Sequence, residues 1–195
     1  VTASSATYLE WMRAGTGRLL GIVDRLAEPR FAEPSPLPGW AVGHLVAHLH
    51  YNACALGRLA SWAATGVESP MYDGAGQRER EISTGAALPP AELKDLVRES
   101  AAELDGLLSA LTGEQWERQV VTAQGRTVSA EEIPWLRVRE VVVHGVDLGG
   151  TWEWPEELLR ALVFEIVEQR LARGQAAALA GVLTGRSRES LPPWL

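Results

Sequence analysis

The chain has 195 residues, 46% hydrophobic and 22% charged, with a formal net charge of −7, so it can bury a sizeable core and is not disordered in bulk. The negative balance argues against a nucleic-acid phosphate as main partner, because such binding needs concentrated positive charge. Cys54 is the only cysteine, there is no charged-then-apolar leader, and no apolar run approaches the roughly 20 residues of a membrane span, so a soluble cytoplasmic protein without disulfides is expected.

Residues 5–27 place Tyr8, Met12, Gly15, Leu19, Ile22 and Leu26 at steps of four and three, which predicts one amphipathic helix. "AEPRFAEPSPLPGW" carries four prolines from Pro29 to Pro38 and reads as a loop. A second helix is predicted over Val42–Thr65, with Leu45, Leu49, Leu56 and Leu59 inward. The following "GVESPMYDGAGQREREISTGAALPP" is too long for a plain connection and reads as a partly helical lid or a surface loop. After Pro89 and Pro90, Leu93, Val97, Ser100, Leu104, Leu107 and Leu111 repeat a bundle-like spacing.

Between Gly113 and Ser129, "VVTAQGRTV" predicts two short extended pieces around a Gln124-Gly125 turn. A fourth long helix is expected over about Glu131–Leu148. Ser129 and Glu132 have capping-box spacing there, Pro134 lies in the first turns, and Gly149-Gly150 ends it. Pro155 opens a fifth helix to about Arg173, with Leu159, Leu162, Val163 and Ile166 inward. A short helix near Gln175–Thr184 precedes the tail "ESLPPWL". Four main antiparallel helices with long crossings predict an all-α bundle. The expected division is residues 1–154 as the bundle and 155–195 as a shortened helical extension.

Inside "EVVVHGVDLGG", Glu140 and His144 stand one helical turn apart and project from one face. Arg137 and Asp147 flank them on nearly the same stripe. An acid and an imidazole so placed are half of a divalent metal site, since zinc accepts imidazole nitrogen and carboxylate oxygen together. They are equally the makings of a surface ion pair. A third donor has to come from a facing helix, and "GWAVGHLVAHLHYNACALG" offers His44, His48 and His50. His48 lies on the inward stripe between Leu45, Leu49 and Asn52, and ranks first. His44 is nearer the rim, and His50 points roughly opposite.

Three blocks, "LPGWAVGHLVAHLHYNA", "SPMYDGAGQREREI" and "IPWLRVREVVVHGVDLGG", resemble the signature blocks of the mycothiol-dependent maleylpyruvate isomerase family, within the wider DinB-like metal-binding helical bundles. The likeness runs in order from the first helix to about Trp154. It implies a DinB-like four-helix bundle in which His48, Glu140 and His144 hold a divalent metal, with zinc expected. It also implies mycothiol as the thiol cofactor. Family members continue into a smaller mixed α/β domain that helps close the site and supplies a substrate-binding arginine. This sequence has "AALAGVLTGR" and "LPPWL" but not the strands expected before them, so most of that domain is expected to be missing.

The implied reaction is a cis–trans isomerisation of maleylpyruvate or a related unsaturated acid. A metal-stabilised thiolate adds to the conjugated double bond, the resulting single bond rotates, and the thiolate leaves. Arg137, Arg139, Arg78 and Arg80 are candidates for holding substrate or cofactor anions, and Arg137 ranks first because it shares the ligand face. The alternative for Arg137 is an exposed salt bridge. Asp147 either orients an imidazole or pairs near the helix end. Asn52 either hydrogen-bonds mycothiol or satisfies a backbone group. Cys54 reads as a small buried apolar residue. A mycothiol S-transferase, or a bundle that binds a ligand without catalysis, are the other functional readings. The expected partners are a small thiol and an electrophilic acid, with a monomer or homodimer as the assembly.

Overall fold

A computed structural model describes residues 4–187 and Leu191; the rest of the expected tail lies outside the described residues. The chain forms two compact units, one reaching to Thr151 and the other beginning at Trp152.

Four long helices make the first unit: α1 (Ser5–Arg25), α2 (Val42–Thr65), α4 (Pro90–Ser109) and α6 (Ile133–Asp147). Packing runs in a ring, α1 against α4, α4 against α2, α2 against α6 and α6 against α1. Helices α1 and α2, and likewise α4 and α6, therefore sit across the ring from one another, which is why long connections join them. This is the expected all-α four-helix bundle.

Ser4 caps α1, its hydroxyl accepting from the Thr7 amide at 3.2 Å. The buried stripe is Met12, Gly15, Leu19 and Val23. Ile22 and Leu26 are only half-buried, because the helix stops at Arg25 and its last turn presents Val23 instead. The proline-rich segment forms a short 3₁₀ turn, Glu28–Ala32, and a bridge from Pro34 to Ala41 that leads into α2.

Helix α2 is buried on nearly every side, since α3 (Gln77–Ala86) and the 3₁₀ turn cover what α4 and α6 leave open. The expected lid or loop thus contains a real helix. Gly85 allows its close approach: a Cβ there would stand 2.9 Å from the Tyr51 ring and 3.0 Å from the Ala47 side chain. Arg58 tethers the preceding strand of chain by donating to the Met71 carbonyl at 2.6 Å.

Along α4 the core face is Leu93, Val97, Ser100, Ala101, Leu104 and Leu108. Leu107, expected inside, is half-buried, and Leu108 takes the inward place. After one helical turn, α5 (Gly113–Trp116), strands β1 (Gln119–Val121) and β2 (Thr127–Ser129) pair antiparallel, with Val120 opposite Val128. The expected capping box before α6 does not form as such. Ser129 accepts from the Glu131 amide, but the Glu132 carboxylate turns outward to Arg126 at 3.0 Å. A Schellman turn ends α6, with the Gly150 amide on the Gly145 carbonyl and the Gly149 amide on that of Val146, both at 2.9 Å.

The second unit contains α7 (Glu156–Ala172) and α8 (Ala176–Leu183), which pack on each other; its described residues include no strand. Of the residues expected inward on α7, only Leu162 is buried. It is joined by Leu158, while Val163 is 53% exposed. Apolar residues surround this helix, so periodicity did not define its face. Among the described residues no helix is long and apolar enough to cross a membrane.

Candidate metal centre

Two neighbouring bundle helices bring the three predicted donors together. His48 projects from the middle of α2, between the fully buried Leu45 and Leu49; Glu140 and His144 project from α6 one turn apart. One ligand atom from each lies within 4.8 Å of the others. The Glu140 carboxylate is the hub. Its Oε2 stands 2.8 Å from His48 Nε2 and 3.4 Å from His144 Nε2. All three side chains are buried, so the surface-pair alternative does not describe them.

Asp147 completes one side. Its Oδ2 lies 2.8 Å from His144 Nδ1 and accepts the proton of that nitrogen, which aims the Nε2 edge of the ring at Glu140. Burial alone would raise the Glu140 pKa, but hydrogen bonds from His144 and His48 hold it well below the usual carboxylate range. Burial likewise opposes charge on His144, yet Asp147 and Glu140 overcome it and lift its pKa to about 9. His48 goes the other way: burial outweighs the help of Glu140 and lowers its pKa.

The donor chemistry fits a divalent cation. Two imidazoles and one carboxylate, buried and converging, match zinc or a similar ion, and three protein donors leave a position for an external ligand. Without an ion the same atoms satisfy one another by hydrogen bonds.

Charged residues around this centre divide into three groups. Arg137 is 1% exposed, and its Nη1 donates to the Leu49 carbonyl and to Asn52 Oδ1, both at 2.8 Å. It clasps α6 to α2 one turn from the ligands, and Asn52 Oδ1 is thereby engaged. Nε and Nη2 of Arg137 are buried without hydrogen-bond partners, and burial lowers its pKa to about 10, so it stays cationic near neutrality. Arg139 is buried on the same helix. Arg80 is exposed on α3, its guanidinium beside Gly76.

It is Arg78 that reaches the centre. Its Nη2 lies 3.5 Å from His48 Nδ1, and its guanidinium sits 5.6 Å from the centroid of Trp40, whose ring also flanks His48 at 5.6 Å. Tyr72 senses both Arg78 and Glu140; its pKa is raised, chiefly by burial. Tyr72 was not singled out in the sequence, although it lies within the second of the three blocks quoted above. His44 instead accepts from the Ala41 amide at the start of α2, at 3.3 Å. His50 turns to the Leu96 carbonyl at 3.0 Å, with Cys54 beside it at 3.8 Å. Burial raises the Cys54 pKa, which makes it a poor nucleophile.

Residues 12–149 match the family described as the mycothiol maleylpyruvate isomerase N-terminal domain. A crystal structure of a mycothiol-dependent maleylpyruvate isomerase superposes with a TM-score of 0.81 at 41% identity, covering 84% of this chain and 70% of that one. YfiT from Bacillus subtilis, described as a probable metal-dependent hydrolase with an unusual four-helix bundle topology, shares the fold at a TM-score of 0.61 and 18% identity, over 81% of this chain and 87% of that one. Two uncharacterized proteins from strains of Mycobacterium tuberculosis are 29% identical over 158 residues, 75% of this chain. The chain spans 56% of the length of those curated relatives. With the match extending over most of the bundle, the chain belongs to the mycothiol maleylpyruvate isomerase N-terminal domain family.

Proposed function

We propose that this chain is a metal-dependent enzyme that uses mycothiol to isomerise a cis-unsaturated acid such as maleylpyruvate, with His48, Glu140 and His144 holding the ion and zinc as the expected metal. The single observation that carries this reading is the convergence of those three donors, buried and within 4.8 Å, with Asp147 behind His144. When bound, the metal and the thiol together supply a nucleophilic sulfur that stays anionic near neutral pH and can add reversibly to a conjugated double bond.

The chain's own residues have distinct tasks. Glu140 brings the negative charge that lets two neutral imidazoles and a dication coexist in a buried place. Asp147 orients His144 by holding its Nδ1 proton. Arg137 ties α2 to α6, so that His48 meets the α6 pair in register, and adds a buried positive charge that favours anions near the open coordination position. Asn52 assists by accepting from Arg137. Arg139 and Arg80 remain candidates for contacts with the polar parts of the thiol cofactor. Burial by Trp40 and the surrounding α2 leucines keeps the local dielectric low, which strengthens all these charges.

Purified protein should contain close to one equivalent of zinc, and chelation should abolish its reaction with mycothiol and maleylpyruvate. Formation of the trans isomer without net thiol consumption supports isomerisation. A stable thiol conjugate supports a mycothiol S-transferase on the same centre, the second reading. Zinc that is neither retained nor restored by addition would leave only a ligand-binding bundle.

A further inference from the structure

The two imidazoles of the centre are not supported alike. His144 has a carboxylate, Asp147 Oδ2, 2.8 Å from Nδ1. His48 has a donor there: Arg78 Nη2 lies 3.5 Å from its Nδ1. No carbonyl or carboxylate of the described residues accepts from that nitrogen. A histidine that ligates metal through Nε2 carries its proton on Nδ1, and that proton is ordinarily given to a carboxylate, a carbonyl or water. Arginine cannot accept it, having only N–H groups.

We propose that Arg78 and the Nδ1 edge of His48 form an oxyanion site for a carboxylate of the substrate class, and that the site comes into being only when a cation lies on His48 Nε2. This rests on the metal reading above. With no cation, Nε2 carries the proton and donates to Glu140 Oε2 at 2.8 Å. The Nδ1 lone pair then faces the Arg78 guanidinium, and the two satisfy one another weakly. With a cation on Nε2, the proton stands on Nδ1 and two donors confront each other. One oxygen accepting from both, each at about 2.8 Å, sets the donors about 4.5 Å apart. Arg78 therefore has to withdraw by about 1 Å.

Arg78 is built for that movement. Its side chain is 38% exposed, and its ion pair is a long one, 3.8 Å to the exposed neighbour Glu79. The face of Trp40 supports the guanidinium while it shifts. Its backbone, by contrast, is fixed, because Gly85 seats α3 against Ala47 and Tyr51 of α2.

Linkage makes this measurable without turnover: an anion that needs the metal must tighten the metal by the same factor. Zinc affinity is read by competition with a chromogenic chelator, with and without maleate as the probe. Saturating maleate should strengthen zinc binding about tenfold in the unsubstituted protein, and in R78M the gain should fall below about threefold. R78K, which keeps a charge but loses the fork, should lie between them. Titration calorimetry should show maleate binding at least about tenfold weaker once zinc is removed.

Circular dichroism checks that R78M is folded, which the exposure of Arg78 favours. If R78M keeps the full gain, maleate sits on the metal rather than on Arg78 and the proposal is overturned. Equal maleate affinity with and without zinc overturns it as well. Either result leaves the metal-dependent reading standing, whereas failure of the unsubstituted protein to bind zinc removes both.

Discussion

Helices α6 and α7 read as opposites in sequence and end as opposites in the fold, but with the roles reversed. Helix α6 carries Arg137, Arg139, Glu140 and His144, and all four are buried, along with most of its other residues. Helix α7 is rich in Leu, Val, Ile and Phe, yet buries only Leu158, Leu162 and Arg170, while Val163 is 53% and Phe164 49% exposed. Burying an ionisable group costs several kcal/mol unless it is paired. The four on α6 are therefore a device whose parts support one another. Exposing a valine costs little by comparison.

The strongest way to break that device is to remove its hub. Glu140→Ala leaves Arg137 and two imidazoles buried without their anion, and should cost about 3–5 kcal/mol in chemical denaturation of the metal-free protein. The same variant should bind zinc at least about a hundredfold more weakly, since three donors share the binding energy. Full metal affinity in Glu140→Ala would show that the cation, if any, is held elsewhere.

Proton linkage gives the next largest effect. In the metal-free protein His144 titrates at about 9, held up by Asp147 and Glu140 against burial, compared with about 6.5 in the unfolded chain. The folded state thus holds an extra proton between these values. Stability from this group is complete below about pH 6.5 and fades as pH climbs to about 9, by roughly 3 kcal/mol in all. His48 is lowered below its ordinary value and stays neutral across that window. Metal uptake must expel the His144 proton, so zinc affinity should run the other way, strengthening toward pH 9 by up to about tenfold per unit. Denaturation with chelator at pH 6 and pH 9, beside zinc titrations at both, would expose a wrong sign in either curve.

Asp147→Asn tests the orienting contact alone. The amide can still accept from His144 Nδ1 but loses the charge, so metal affinity should fall about 10- to 100-fold and the His144 pKa should drop. Thermal unfolding of the metal-free variant should change less than for Glu140→Ala, because Asp147 is partly exposed.

The donors were legible because two patterns reinforced each other. Glu140 and His144 share a face by spacing, and His48 lies between leucines on the inward stripe, one turn deeper than His44 on the same face. Phase then suffices, for α2 and α6 pack side by side. Arg78 was not separable from Arg80 in the same way. Their helix starts after a glycine-containing loop at Gly76, whose left-handed φ of 78° sets a phase that no flanking apolar repeat records. Arg137 shared the ligand stripe as expected, but its length let it cross to the Leu49 carbonyl, and a side chain's final partner is a tertiary matter. The α7 face was misread for the reverse reason: a surplus of apolar positions leaves several phases equally good, and only packing chooses among them.

The smallest effect falls on that exposed face. Val163→Gln and Phe164→Gln remove apolar surface that is about half in water, so each should change unfolding free energy by no more than about 0.5 kcal/mol. The Arg160 guanidinium, 6.0 Å from the Phe164 ring, adds little at such exposure. By contrast Val141→Gln, at a position 1% exposed beside Glu140, should cost several times more through an unsatisfied buried amide. A loss of about 2 kcal/mol or more at Phe164 would mean that water is not what covers this face in solution, since truncating a half-hydrated ring cannot supply it.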